Sequence, residues 1–185
     1  MEITYEFIES TEFATFFRLN RSRVFSNDFD FDIEKVLSDE EKKKRKRNWT
    51  KLANIHRYYL VAKDNEKIVG WSFGMQKSAE DYYMINSAVF SEYRRQKIYS
   101  NMMKKVVVRL SNLGFQRIYS RHKMSNNQIL IPKLKFGFII TGFEINDVFG
   151  NLIELSYYTN PMRRELLEVR MGTMKLDSEK MKLSK

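Results

Sequence analysis

The chain has 185 residues, 43% of them hydrophobic, with 14 Phe, 10 Tyr and 10 Met, which is enough apolar material for one packed core despite 30% charged residues. It has no cysteine, which excludes disulfides, thiolate metal sites and a cysteine nucleophile, and the site composition calls for no metal. The start, Met1-Glu2-Ile3-Thr4-Tyr5-Glu6, lacks a basic patch followed by an apolar run, and no uninterrupted apolar stretch reaches bilayer-spanning length. The expectation is a cytoplasmic chain with no membrane partner.

The formal net charge of +10 favours an anionic partner, but charge alone does not separate nucleic acid, an acidic membrane surface and a phosphorylated cofactor. Position has to decide. Phe13, Phe16, Phe17, Leu19 and Val24 recur at near-helical spacing and predict an amphipathic helix over 10–25. Asp28-Phe29-Asp30-Phe31-Asp32 alternates, yet its acidity and lack of β-branching read as irregular. Ser38-Asp39-Glu40-Glu41 is a capping box opening a helix to about Ala53, with Trp49, Leu52 and Ala53 as its apolar stripe. The run Lys42 to Arg47 on that helix reads as a solvated face, with a nucleic-acid patch as the alternative.

From His56 the period becomes two. The runs 57–63 and 67–73 flank Asp64-Asn65-Glu66 and predict an antiparallel hairpin; a third strand runs from Tyr82 to Phe90. Ile98, Met102, Met103, Val106, Val107, Leu110 and Leu113 form the stripe of a helix lying on a sheet, stopped by Gly114. Phe115 to Arg121 reads as strand, Asn126 to Leu134 as a short helix interrupted by Pro132, and Phe138–Phe143 with Leu152–Tyr158 as two strands around a turn at 146–151. Asn160-Pro161 caps a last helix that Gly172 ends. The outcome is a mixed α/β domain over 1–172, with a central, mostly antiparallel sheet of six to seven strands and four to five helices, followed by a fraying basic tail at 173–185.

The chemistry concentrates in Ala88-Val89-Phe90-Ser91-Glu92-Tyr93-Arg94-Arg95-Gln96-Lys97-Ile98-Tyr99-Ser100, which runs from a buried strand through adjacent arginines into a helix start. The first amides of a helix lack intrahelical acceptors and the macrodipole adds positive charge, so a phosphate fits there, reinforced by Arg94, Arg95 and Lys97.

These residues resemble the GNAT superfamily of N-acetyltransferases, whose pyrophosphate loop reads Val-x-Pro-x-Tyr-Arg-x-x-Gly-x-Gly/Ala. Val89, Tyr93 and Arg94 match, and Ile98 fits the apolar position between the glycines. Asn126 and Phe136-Gly137-Phe138 resemble the family's later Asn and Gly-Phe, and the hairpin 60–70 is similar to its strands 2 and 3. The departures are Ser91 for proline, and Lys97 and Tyr99 for the two glycines. A side chain at Lys97 must point away from the phosphates or replace lost amide contacts with its charge.

The resemblance implies acetyl-CoA as co-substrate, held by Ala88, Val89, Arg94, Arg95, Gln96, Lys97, Ile98, Tyr99, Ser100 and Asn126, with an acetyl group passing to a primary amine by direct attack in a ternary complex. Many members place a tyrosine, as acid for the departing thiolate, four residues before the Gly of Gly-Phe. Here that position is Lys133, either a proton donor or, the more ordinary reading, a surface residue. Tyr99 and Tyr119 are other phenols. Freeing a lysine-like amine at pH 7 costs about 3.4 pK units, roughly 4.6 kcal/mol, so a base helps, and His122 is the candidate beside its plain reading as a structural histidine. The alternatives are a GNAT-like acyl-CoA-binding module without catalysis and a basic nucleic-acid-binding protein. The acceptor's identity and a homodimer through the terminal strand or helix stay open.

Overall fold

The computed structural model describes residues 2–25, 35–52 and 54–175. The acidic stretch 28–32, Ala53 and the tail from 176 onward lie outside them. A seven-stranded sheet in the order β1-β2-β3-β4-β5-β7-β6 forms the frame. Its strands are β1 (Ile3–Phe7), β2 (Arg57–Asp64), β3 (Lys67–Gln76), β4 (Asp81–Val89), β5 (Arg117–Lys123), β6 (Ile139–Asn146) and β7 (Gly150–Tyr158). Five helices accompany it: α1 (Ser10–Val24), α2 (Asp39–Lys51), α3 (Ile98–Asn112), α4 (Asn127–Phe136) and α5 (Pro161–Arg170).

The expected fold class, strand content and helix content hold. β1 was not anticipated; its five residues alternate Ile3, Tyr5, Phe7 against Thr4, Glu6 and pair antiparallel with β2. Pro132 does not interrupt α4, which continues to Phe136 and closes on Gly137 in the left-handed region at φ 114°. One lost amide is tolerated there because Leu130 and Lys133 anchor the helix on the sheet. The capping box at Ser38 and Glu41 forms as read, but the expected stripe of α2 does not meet a core: Trp49 and Leu52 are exposed and the helix buries no residue. Leu19 of α1 is likewise exposed, while Phe13 is buried against Tyr59 and Phe73.

The core has two layers. On one face, α3 lays Ile98, Met102, Val106 and Leu110 across β2, β3 and β4, and Leu130 and Phe138 extend that layer toward β7. On the other, Phe13 packs with Val61, Trp71, Ala88 and Phe90. All neighbouring strands are antiparallel except β4 and β5, which the α3 crossover makes parallel.

That parallel pair is short. Only Asp81↔Arg117, Tyr82↔Ile118 and Tyr83↔Tyr119 pair. The closed end is held by an ion pair of 2.7 Å between Arg117 Nε and Asp81 Oδ1 and by the Tyr83 and Tyr119 rings, 5.1 Å apart. Beyond Tyr83 the strands part. β4 carries a bulge, since Gly74 pairs with Met84 and Phe73 with Asn86, leaving Ile85 without an opposite residue, and a bulge bends its strand. β5 follows β7 through Lys123, so a wedge opens between β4 and β5. Among the described residues no helix is long and apolar enough to cross a membrane.

Gly74 sits at the shoulder of the bulge, where an added Cβ would lie 2.5 Å from the Tyr83 carbonyl oxygen and 2.8 Å from the Tyr58 ring. Gly74→Ala is expected to destabilise by roughly 1–3 kcal/mol, a fall in melting temperature of several degrees. Gly142→Ala, whose Cβ would meet only Glu154 Cβ at 3.6 Å, is expected to leave the melting curve nearly unchanged.

Candidate active site

The loop after β4 is built backward onto its own strand. Phe90 N–H donates to the Val69 carbonyl at 3.0 Å, Ser91–Tyr93 makes one 3-10 turn, and Arg94 Nε donates to the Val89 carbonyl at 3.2 Å. Arg95 and Lys97 both take the left-handed conformation, at φ 64° and 60°. Lys97 is the N-cap of α3, with no side-chain cap, so the left-handed residue leads directly into right-handed helix. Such a left-to-right transition turns successive amides toward one point, and the leading amides of α3 have no intrahelical acceptor. This turn and helix start form a cradle, and Lys97 on its rim is exposed, as are Arg95, Gln96 and Ser100.

From that cradle the edge of β4 facing β5 runs from Val89 down to Met84 without a strand partner among the described residues, a length of roughly 17–20 Å at about 3.3 Å per residue. It ends where the wedge closes. Met84 and Ser120 are the first residues past Tyr83↔Tyr119, the last pair between β4 and β5. Into this apex α4 sends Lys133, 1% exposed, whose Nζ donates to Ser120 Oγ at 2.7 Å and lies 3.6 Å from Met84 Sδ. The same nitrogen stands 4.2 Å from the centre of the Phe138 ring. His122, two residues farther out on β5 and half-buried, places Nε2 2.9 Å from Ser120 Oγ.

Among the described residues no carboxylate contacts Lys133. Glu154 and Glu144 lie on the other face of β5 and are held by arginines: Glu154 by Arg117 at 3.5 Å and Arg121 at 3.2 Å, and Glu144 by Arg121 at 2.8 Å. Burial without a counter-charge disfavours the ammonium, and the Lys133 pKa is pushed down to about 7. His122 falls to about 3, first through burial and then through the charge of Lys133, so its imidazole is neutral at physiological pH. An amine that changes protonation near neutrality, hydrogen-bonded to a hydroxyl that itself meets a neutral imidazole, can both donate and accept protons.

A profile described as "Acetyltransferase (GNAT) family" matches residues 23–138. The chain belongs to the GNAT acetyltransferase family. Solved structures share this fold at low identity. The ribosomal-protein-S18-alanine N-acetyltransferase from Escherichia coli is 15% identical with a TM-score of 0.60, covering 86% of this chain and 95% of that one. An N-acetyltransferase from Staphylococcus aureus Mu50 is 13% identical at 0.63, covering 86% and 100%. A GNAT family acetyltransferase from Elizabethkingia anophelis, solved with acetyl-CoA bound, is 18% identical at 0.57, covering 84% and 97%. No curated protein sequence matches. The expectation of acetyl-CoA as co-substrate agrees with this family.

Within this GNAT domain the residues named from sequence separate into groups. Arg94, Arg95, Gln96, Lys97, Ile98 and Ser100 surround the amide cradle, although Ile98 contributes its backbone, its side chain being core. Tyr99 turns its ring into the α3 layer, and its hydroxyl is buried without a hydrogen-bond partner among the described residues. Ala88 and Val89 pair with Trp71 and Gly70, at the cradle end of the open edge. Asn126 is the exposed N-cap of α4, its side chain making no cap bond. Tyr119 lies on the opposite face of β5 from Ser120, its ring against Tyr83 and Arg117. The surface reading of Lys133 is overturned. Ser120 and Met84 escaped sequence reading; the signal that could have found Ser120 is the i, i+2 spacing with His122 on one strand face.

Replacing Lys133 by Met removes a buried charge while keeping most of the volume. The folded pKa of about 7 lies below the unfolded value of 10.5, so the wild type gains stability as pH rises from 7 to 10.5 and loses it on acidification. Lys133→Met is expected to be more stable than wild type at pH 6, by up to about 5 kcal/mol, with the advantage shrinking toward pH 10 in urea or thermal unfolding.

Proposed function

We propose that this chain transfers an acetyl group from acetyl-CoA to a primary amine by direct attack in a ternary complex. The observation that carries the reading is the buried amine of Lys133 at the closed end of the β4/β5 wedge, hydrogen-bonded to Ser120 and without a carboxylate partner among the described residues. The residues fit the co-substrate. The left-handed Lys97 and the uncapped start of α3 offer converging amides to a pyrophosphate, with Arg95 and Lys97 on the rim. The open edge of β4 offers unpaired backbone groups to the amides of a pantetheine arm, whose length leads from the cradle to the apex.

At the apex Lys133 stands where a departing thiolate would need a proton, and its pKa near 7 suits both donation and recovery at neutral pH. Holding amine and thioester together supplies the larger part of the rate, about 7–11 kcal/mol in well-oriented systems. A module that only bound acyl-CoA would gain nothing from an uncompensated buried amine that lowers its stability, which favours catalysis over that alternative. The nucleic-acid reading keeps the exposed basic helix α2 in its support, but α2 is separate in sequence from the cradle and wedge.

Two measurements test this. Acetyl-CoA at about 100 times its Kd is expected to stabilise the wild type by about 2.7 kcal/mol, and the double charge reversal Arg94→Glu/Arg95→Glu to abolish most of that gain. Lys133→Met is expected to keep the acetyl-CoA thermal shift yet lower kcat, read by thiol release with an amine acceptor, by roughly 10²–10⁴-fold. Unchanged turnover in Lys133→Met would remove the lysine from the chemistry.

A further inference from the structure

We infer that Ser120 is the proton carrier of this site, joining Lys133 to His122 in a relay that runs from the apex of the β4/β5 wedge toward its mouth. The inference rests on the acetyltransferase reading and adds to it a residue and a path. A serine hydroxyl has one proton to give and two lone pairs, and both neighbours of Ser120 Oγ lie at hydrogen-bond distance: Lys133 Nζ at 2.7 Å and His122 Nε2 at 2.9 Å. Ser120 is itself 1% exposed, so bulk water does not replace it. The other contacts of Nζ, the Met84 thioether and the Phe138 ring, carry no exchangeable proton. Among the described residues, Ser120 is therefore the route by which a proton reaches or leaves the resting lysine from the chain's side.

The relay has two self-consistent arrangements. With Lys133 charged, Nζ–H donates to Oγ, Oγ–H donates to Nε2, and His122 carries its proton on Nδ1. With Lys133 neutral, Oγ–H donates to Nζ, Nε2–H donates to Oγ, and the proton of His122 sits on Nε2. Switching moves one proton across each of the two hydrogen bonds while one proton enters or leaves at Nδ1, which keeps the imidazole neutral in both arrangements and changes the charge of the relay by one. His122 is the titratable group facing Lys133 from β5; Met84 from β4 and Phe138 at the entry to β6 bring no charge. Because the pKa of Lys133 is about 7 and that of His122 about 3, both arrangements are populated near neutral pH while the imidazole passes protons as a neutral ring.

In the transfer, the acceptor ammonium loses one proton to Nδ1 of His122, and the relay delivers one to Lys133. The freed amine then forms the C–N bond as the C–S bond breaks, and Lys133 hands its proton to the leaving sulfur. The second proton on the new amide nitrogen goes to solvent. One proton thus ends on the thiol and one in solution, and Lys133 returns neutral.

The test combines kinetics with a spectroscopic signature. Ser120→Ala is expected to lower kcat by about 10²-fold with the KM for acetyl-CoA within twofold of wild type, and Ser120→Thr, which keeps a hydroxyl, to recover most of the loss. Ring-nitrogen NMR of wild-type His122 is expected to show the proton on Nδ1 at pH 5.5 and on Nε2 at pH 8.5, with a midpoint near 7 that vanishes in Ser120→Ala. Turnover of Ser120→Ala within twofold of wild type, or a His122 tautomer that stays the same across that range, overturns the relay. If the wild type shows the tautomer switch but no acetyl-CoA stabilisation and no thiol release, the relay stands and the acetyl-transfer reading falls instead.

Discussion

Three residue pairs hold β4 and β5 together, and everything functional in this fold follows from their stopping there. A parallel pair that continued to its full length would satisfy its own backbone groups and leave nothing to offer a ligand. Here the bulge at Ile85 bends β4 one way and the pairing of β5 with β7 draws it the other, so an edge forms inside the sheet rather than at its border. An interior edge normally invites unwanted strand pairing, but this one is flanked by covered strands and opens onto a helix start. The ion pair of Arg117 with Asp81 and the Tyr83–Tyr119 contact close the base, giving the wedge a defined apex.

What occupies that apex is energetically unfavourable. An amine buried without a carboxylate prefers to be neutral, and the hydrogen bond to Ser120 with the Phe138 ring only partly offsets the loss of water. The same burial that lowers stability moves the amine's titration to neutral pH, where a proton donor is useful. Stability and reactivity are set here by one physical term, desolvation, acting in opposite directions.

The cradle shows a similar compromise at the backbone. The family pattern has glycine where this chain has Lys97, and the backbone adopts the left-handed conformation regardless, at a cost of about 1–2 kcal/mol for a side-chain-bearing residue. The constraint is therefore on the conformation; the residue type is secondary. The exposed Lys97 side chain points to solvent and leaves its cation near the rim, and Tyr99 removes its own bulk by folding into the α3 layer.

Read alone, the order of residues determined the element types from β2 to α5, the capping box at Ser38 and the crossover helix with its start after the arginine loop, because each rests on local periodicity or on a helix end. It even placed Lys133 at a meaningful spacing from Gly137. It did not determine that β4 and β5 diverge, since a bulge depends on the partner strand's register, nor that Lys133 is buried, since burial depends on Met84, Ser120 and Phe138 arriving from three other segments. The stripe of Trp49 and Leu52 was legible but misleading, because an amphipathic pattern states what a helix could bury and not whether a surface is there to receive it. Local signals are written within a turn or two of chain; the site is made by contacts between residues up to 49 positions apart, and only the assembled sheet decides which of them meet.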